Sequence, residues 1–213
     1  MKTKQKWQFI LVQTLTLARV PLIAVFLCIN LLAPKPLSAN WFMIAFAALI
    51  LSAATDLFDG YFARKFDVTT RLGAYADPLT DKIFYLTALP TLIFLAGISG
   101  KYFHSQLLLA LAILFLARDQ WVSFLRSIGA LHNLSAKANW SGKVRTLISF
   151  PVICVIYYHL EAPEHWWPQI SAYAVYSLEA LSMAINAVSI WIYTKYYGDI
   201  LKKEMRQTNN DKT

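Results

Sequence analysis

The chain has 213 residues, 57% hydrophobic and only 15% charged, with a formal net charge of +8. That balance excludes an ordinary soluble globular domain and a disordered chain alike. Apolar stretches near the ~20 residues that cross a hydrocarbon core recur along the whole length, so the bilayer is the expected solvent.

Six spans are predicted: Thr16 to Ala33, Trp41 to Phe62, Ala74 to Leu95, Phe103 to Phe124, Thr146 to Leu160 and Ile170 to Tyr193. The basic start before the first span lacks a small-residue cleavage site behind it, so the span is expected to be retained after a short N-terminal interfacial segment. Little chain remains between spans. The fold class is therefore an all-α integral membrane bundle of six helices, one domain over residues 1–213, with chemistry carried inside the bundle. Lys35 and Lys101 fall in outer loops, whereas Lys2, Lys4, Lys6, Arg64, Lys65, Arg71, Arg126, Lys137, Lys143, Arg145 and the basic tail of about 196–213 fall in inner segments. That asymmetry predicts an N-in, C-in topology and assigns the positive charge to orientation and anionic lipid, not to nucleic acid. The tail after Tyr193 reads as an interfacial helix that frays. Trp7, Trp41, Trp140, Trp166, Trp167 and Trp191 lie near span ends, as an aromatic belt requires. Cys28 and Cys154 lack metal-ligand spacing and read as small buried hydrophobes.

The second and third spans carry "DLFDGYFARKFDVTTRLGAYADPLTD", with four aspartates in an apolar setting. Asp56 and Asp59 are spaced i, i+3, with Gly60 and Ala63 continuing their face; Gly73, Asp77 and Asp81 are spaced i, i+4, i+8. A hairpin turning near Val68 sets all four carboxylates roughly 13 to 20 Å from the turn, in two matched layers. Each aspartate near a span centre disfavours insertion by about 2.5–3.5 kcal/mol. Two carboxylates about 4 Å apart repel by a further ~4 kcal/mol at an effective dielectric of 20. Protonation, pairing with Arg64, Lys82, Arg19 or Arg118, or bound cations relieve that cost. Oxygen-only donors at this density favour Mg²⁺ or Mn²⁺, and four carboxylates suffice for two ions, the arrangement that serves phosphoryl transfer. Gly60 and Gly73 admit a ligand or a facing helix close to the backbone, and plain helix packing explains either alone. Pro78 removes a helical hydrogen bond beside Asp77.

The order Asp56, Asp59-Gly60, Ala63-Arg64, Gly73, Asp77, Asp81 resembles the signature of the CDP-alcohol phosphotransferase family at every defining position. The resemblance implies that Asp56, Asp59, Asp77 and Asp81 are metal ligands and that Asp81 is also the general base. It implies that Asp56, Asp59, Gly60, Ala63, Arg64 and Gly73 form the CDP site, and that an acceptor hydroxyl displaces CMP from a CDP-linked lipid. A homodimer in a bacterial inner membrane, with its active site facing the cytoplasm, is also implied. "ARDQWVSFLR" and "WSGKVRT" resemble the fourth and fifth spans of members that join glycerol 3-phosphate to CDP-diacylglycerol. On that resemblance Arg118, Arg126, Lys143 and Arg145 grip the acceptor's phosphate, although a basic cluster at an inner span end is also what topology requires. The adjacent Asp119 or a facing aspartate is the plain partner for Arg118. The chain departs from that pattern at Val12-Gln13, at Pro21 and at Asp119, where a glutamate is expected; these positions bear on the acceptor, not on the metal signature. Inositol phosphate, serine and phosphatidylglycerol remain alternative acceptors. A divalent-cation transporter is the rival from another class, and it leaves Arg64 and the glycine spacing unexplained. His104, His132, His159 and His165 lack the lysine two positions on that a covalent histidine mechanism needs, and Glu179 reads as a packing or pairing group.

Overall fold

A computed structural model describes the backbone of residues 3–66, 71–132, 140–166 and 168–210, with side chains for fewer of them. Among the described residues every regular element is an α-helix: α1 (Thr3–Leu32), α2 (Ala39–Phe66), α3 (Arg71–Ile98), α4 (Tyr102–Leu131), α5 (Trp140–Glu161) and α6 (Ala172–Asn210). Among the described residues, four of these helices carry stretches long and apolar enough to cross a membrane: Val12–Leu32, Leu79–Ile98, Tyr102–Leu131 and Ala172–Gly198. The described apolar stretches of α2 and α5 are shorter, at Ala39–Thr55 and Ile148–Glu161. Hydropathy follows side chains and not backbone hydrogen bonding, and several helices run beyond their apolar stretches. Thus α1 absorbs the expected interfacial segment and runs through Pro21, and α6 continues from Tyr193 to Asn210.

The chain divides into two compact units, the first formed by Met1–Leu108 with Ile153–Ala172 and the second by Leu109–Val152 with Tyr173–Thr213. In the first unit, the Tyr157 ring meets the edge of Phe26 at 4.9 Å and stacks on Phe42 at 5.7 Å. Its hydroxyl donates to Asn30 Oδ1 at 3.2 Å, so the one polar atom of this aromatic core is satisfied. On α3, Phe84, Ala88, Leu92 and Leu95 are buried at helical spacing. Lys35, before α2, bonds Glu161 at the end of α5 across 2.6 Å. His104 is buried, its ring 6.0 Å from that of His159.

In the second unit, Val122 and Leu125 of α4 pack with Tyr193 and Tyr197 of α6. Gly129 makes this approach possible: a Cβ there would stand 2.4 Å from Tyr197 Cε1. Besides their apolar cores, both units bury polar side chains and expose large apolar ones. Arg19, Asn30, Glu179 and Asn186 are buried, while Leu32, Phe103, Ile113 and Trp191 are exposed. That apolar exterior suits acyl chains as surroundings. It also corrects the expectation for Cys28, which is exposed on α1, while Cys154 is half-buried.

Candidate active site

The eight signature positions all fall on helix, Asp56, Asp59, Gly60, Ala63 and Arg64 on α2 and Gly73, Asp77 and Asp81 on α3. Beyond their helical backbone, Asp56, Asp59, Gly60, Ala63, Arg64, Gly73 and Asp77 lie outside the described residues, as does the turn expected near Val68. The convergence of the four carboxylates is therefore an expectation carried by spacing, and Asp81 is the member whose surroundings are described.

Asp81 is tied to α1. The fully buried Arg19 places Nη1 against Asp81 Oδ1, and the same nitrogen donates to Thr80 Oγ1 at 3.2 Å. Ser52 of α2 donates to the Arg19 carbonyl at 3.3 Å, and Thr55 donates in turn to the Ser52 carbonyl at 2.8 Å. One arginine thus joins α1, α2 and α3 within a turn of Asp56 and at Asp81 itself. A guanidinium is suited to this because its charge is permanent and its donors are fixed in a plane. The Asp81 side chain keeps 38% of its surface open, so it is anchored without being sealed. Sequence reading placed Arg19 among four possible counter-ions, and the structure selects it for Asp81.

The second unit carries a cationic network built on α4, α5 and α6. Asp119 Oδ1 accepts from Arg118 Nη1 at 3.1 Å and from Arg145 Nη1 at 2.8 Å, so one carboxylate oxygen joins two buried guanidiniums. From α6, Ser189 Oγ accepts from Arg118 Nε at 3.0 Å and Nη2 at 2.8 Å. Asn186 Oδ1 accepts from Arg145 Nε at 3.0 Å, and its own amide donates to the Ser182 carbonyl at 2.8 Å. Arg126 Nη2 donates to the Tyr193 hydroxyl at 2.9 Å. The guanidiniums of Arg118 and Arg126 both lie 5.4 Å from the Tyr193 ring centroid, and that of Arg145 lies 3.8 Å from the Phe115 centroid. Three of the four arginine and lysine positions expected to grip a phosphate therefore belong to one network; the Lys143 side chain lies outside the described residues. Asp119 is the partner of Arg118, as its adjacency suggests.

Sequence reading missed the α6 contribution. Glu179, Ser182, Asn186, Ser189 and Tyr193 recur at steps of three and four residues and are all buried. That periodicity, in the largely apolar first half of α6, was the available signal.

Among the described residues no group of three His, Cys, Asp or Glu side chains gathers as a metal site. The aspartate set nonetheless fits a hard divalent cation in chemistry: oxygen donors alone, paired one turn apart on each of two helices, with Asp81 held but partly open.

The profile of the family described as CDP-alcohol phosphatidyltransferase matches residues 9–192. A CDP-diacylglycerol--glycerol-3-phosphate 3-phosphatidyltransferase of Escherichia coli (strain K12) is 30% identical over 193 residues, covering 89% of this chain and 93% of that protein. A protein of the same name from Sodalis glossinidius is 35% identical over 137 residues, 62% of this chain and 68% of the relative. Another from Yersinia pestis (strain Pestoides F) is 34% identical over 109 residues, 49% of this chain. That alignment spans only about half the relative's length, 55%.

Proposed function

The chain belongs to the CDP-alcohol phosphatidyltransferase family, and on that premise we propose that it transfers the phosphatidyl group of CDP-diacylglycerol to glycerol 3-phosphate, giving phosphatidylglycerophosphate and CMP. Asp56, Asp59, Gly60, Ala63, Arg64 and Gly73 bind the CDP moiety, Arg64 toward the diphosphate. Arg118, Arg126, Lys143 and Arg145 bind the acceptor's phosphate, a task for which the buried, hydrogen-bonded guanidiniums of Arg118 and Arg145 are chemically suited. Asp81 takes the proton from the acceptor hydroxyl as its oxygen bonds to the phosphorus carrying the diacylglycerol. The bond from that phosphorus to CMP breaks, and CMP leaves with the electron pair. Arg19 holds the Asp81 carboxylate in one orientation, which keeps the base aimed while its open part meets the hydroxyl. Asp56, Asp59, Asp77 and Asp81 would hold two divalent cations, Mg²⁺ or Mn²⁺, which when bound neutralise the diphosphate.

The setting is a six-span bundle with both termini inside, in a bacterial inner membrane with the site toward the cytoplasm, and a homodimer as the family resemblance implies. The asymmetry of Lys and Arg supports the orientation. One observation carries the reading: the last aspartate of the signature is anchored by a fully buried arginine and yet remains partly open. The test is CMP release by the purified protein with CDP-diacylglycerol and Mg²⁺ or Mn²⁺, against glycerol 3-phosphate, serine, inositol and inositol phosphate in parallel. Release is expected with glycerol 3-phosphate and is expected to vanish in Asp81→Asn. Release with serine alone would reassign the acceptor, and wild-type turnover by Asp81→Asn would remove the base.

A further inference from the structure

We infer that Asn186 and Ser189 of α6 are positioning residues that set acceptor specificity, by locking the Arg145 and Arg118 guanidiniums into one orientation for a phosphomonoester. The inference rests on the phosphate-binding role proposed above for those arginines and extends it to a helix that the family signature does not touch. A guanidinium on a flexible stem is a poor selector, because the freedom it loses on binding opposes the bond it forms. Here that freedom is already removed. Arg118 gives Nε and Nη2 to a single Ser189 hydroxyl, and Arg145 gives Nε to Asn186. Asn186 is itself fixed, its amide spent on the Ser182 carbonyl one turn back along α6. Both α6 residues are fully buried, so water does not substitute for them. Asp119 orders the same two guanidiniums from the α4 side at Nη1, which makes the α6 pair the part of the frame contributed by a third helix.

Steady-state CMP release and thermal unfolding of the full chain in detergent test this together. Ser189→Ala and Asn186→Leu are each expected to raise KM for glycerol 3-phosphate about tenfold, as loss of a hydrogen bond to a charged group predicts. KM for CDP-diacylglycerol stays within twofold, which also reports that the variants are folded. Ser189→Thr, which keeps the hydroxyl, restores the wild-type KM. Equal rises in both KM values, or an unchanged KM for glycerol 3-phosphate, overturn the inference. If the wild-type chain releases no CMP with glycerol 3-phosphate, the functional reading fails, while the inference is still read from stabilisation by inorganic phosphate. Stabilisation of the wild type that disappears in Ser189→Ala upholds it, and stabilisation absent from the wild type or equal in both overturns it.

Discussion

Replacing Arg19 with methionine keeps an unbranched apolar stem and deletes the charge. The substitution removes the ion pair to Asp81 and the 3.2 Å bond to Thr80. Breaking a buried pair from one side costs about 3–5 kcal/mol. Asp81 is 38% exposed, however, and water screens the carboxylate left behind, so about 2 kcal/mol is the expected loss. At roughly 2–4 °C per kcal/mol for a chain of this size, the melting temperature in detergent should fall by about 4–8 °C. The catalytic effect is larger than the structural one, because a base displaced by about 1 Å costs on the order of 100-fold in rate. CMP release at saturating substrates measures kcat, and Arg19→Lys, which keeps the charge without the planar fork, should fall between the two. A kcat within twofold of wild type in Arg19→Met would refute the anchoring role of Arg19.

Chelation with EDTA should abolish CMP release and Mg²⁺ or Mn²⁺ should restore it; isothermal titration should then show CMP binding that needs the metal. Metal binding without any response to CMP would favour the transporter reading. Lys143→Ala with Arg145→Ala should raise KM for glycerol 3-phosphate much more than KM for CDP-diacylglycerol, and equal rises would argue against phosphate gripping. Gly129→Ala should lower the melting temperature by a few degrees. Its Cβ would stand 2.4 Å from the buried Tyr197 ring, and an overpacking cost of about 1–3 kcal/mol exceeds the ~1 kcal/mol gained in helix propensity. A raised melting temperature would show that the ring yields without cost.

The helices were legible because lipid leaves few alternatives to them: each of the six predicted spans lies on one helix to within about two residues, although among the described residues only four helices carry a stretch long and apolar enough to cross a membrane. Their ends were not: hydropathy marks where side chains prefer lipid, whereas hydrogen bonding decides where a helix stops. The signature was legible for a different reason, since charges in an apolar run are costly enough to need an explanation. For Arg118, sequence offered the adjacent Asp119 or a facing aspartate, and the structure shows the bond to Asp119. Arg19 could be nominated for the aspartates but not assigned, because 62 residues separate it from Asp81 and spacing carries no information over that distance. Asn186 and Ser189 passed unnoticed because a single uncharged polar residue in a span has an ordinary explanation, and only the facing arginines give it a purpose.

The polar edge of α6 bears on how the protein is made. Glu179, Asn186 and Ser189 are buried against protein, and a helix presenting them to acyl chains by itself would sit there at a penalty. Arg118 on α4 and Arg145 on α5 carry the same liability in mirror image, each relieved by bonds to α6. Until α6 is made, Asp119 pairs with these two guanidiniums, and their bonds to Ser189 and Asn186 are still missing. A chain stopped before Asn186 is one that membrane quality control should recognise and degrade.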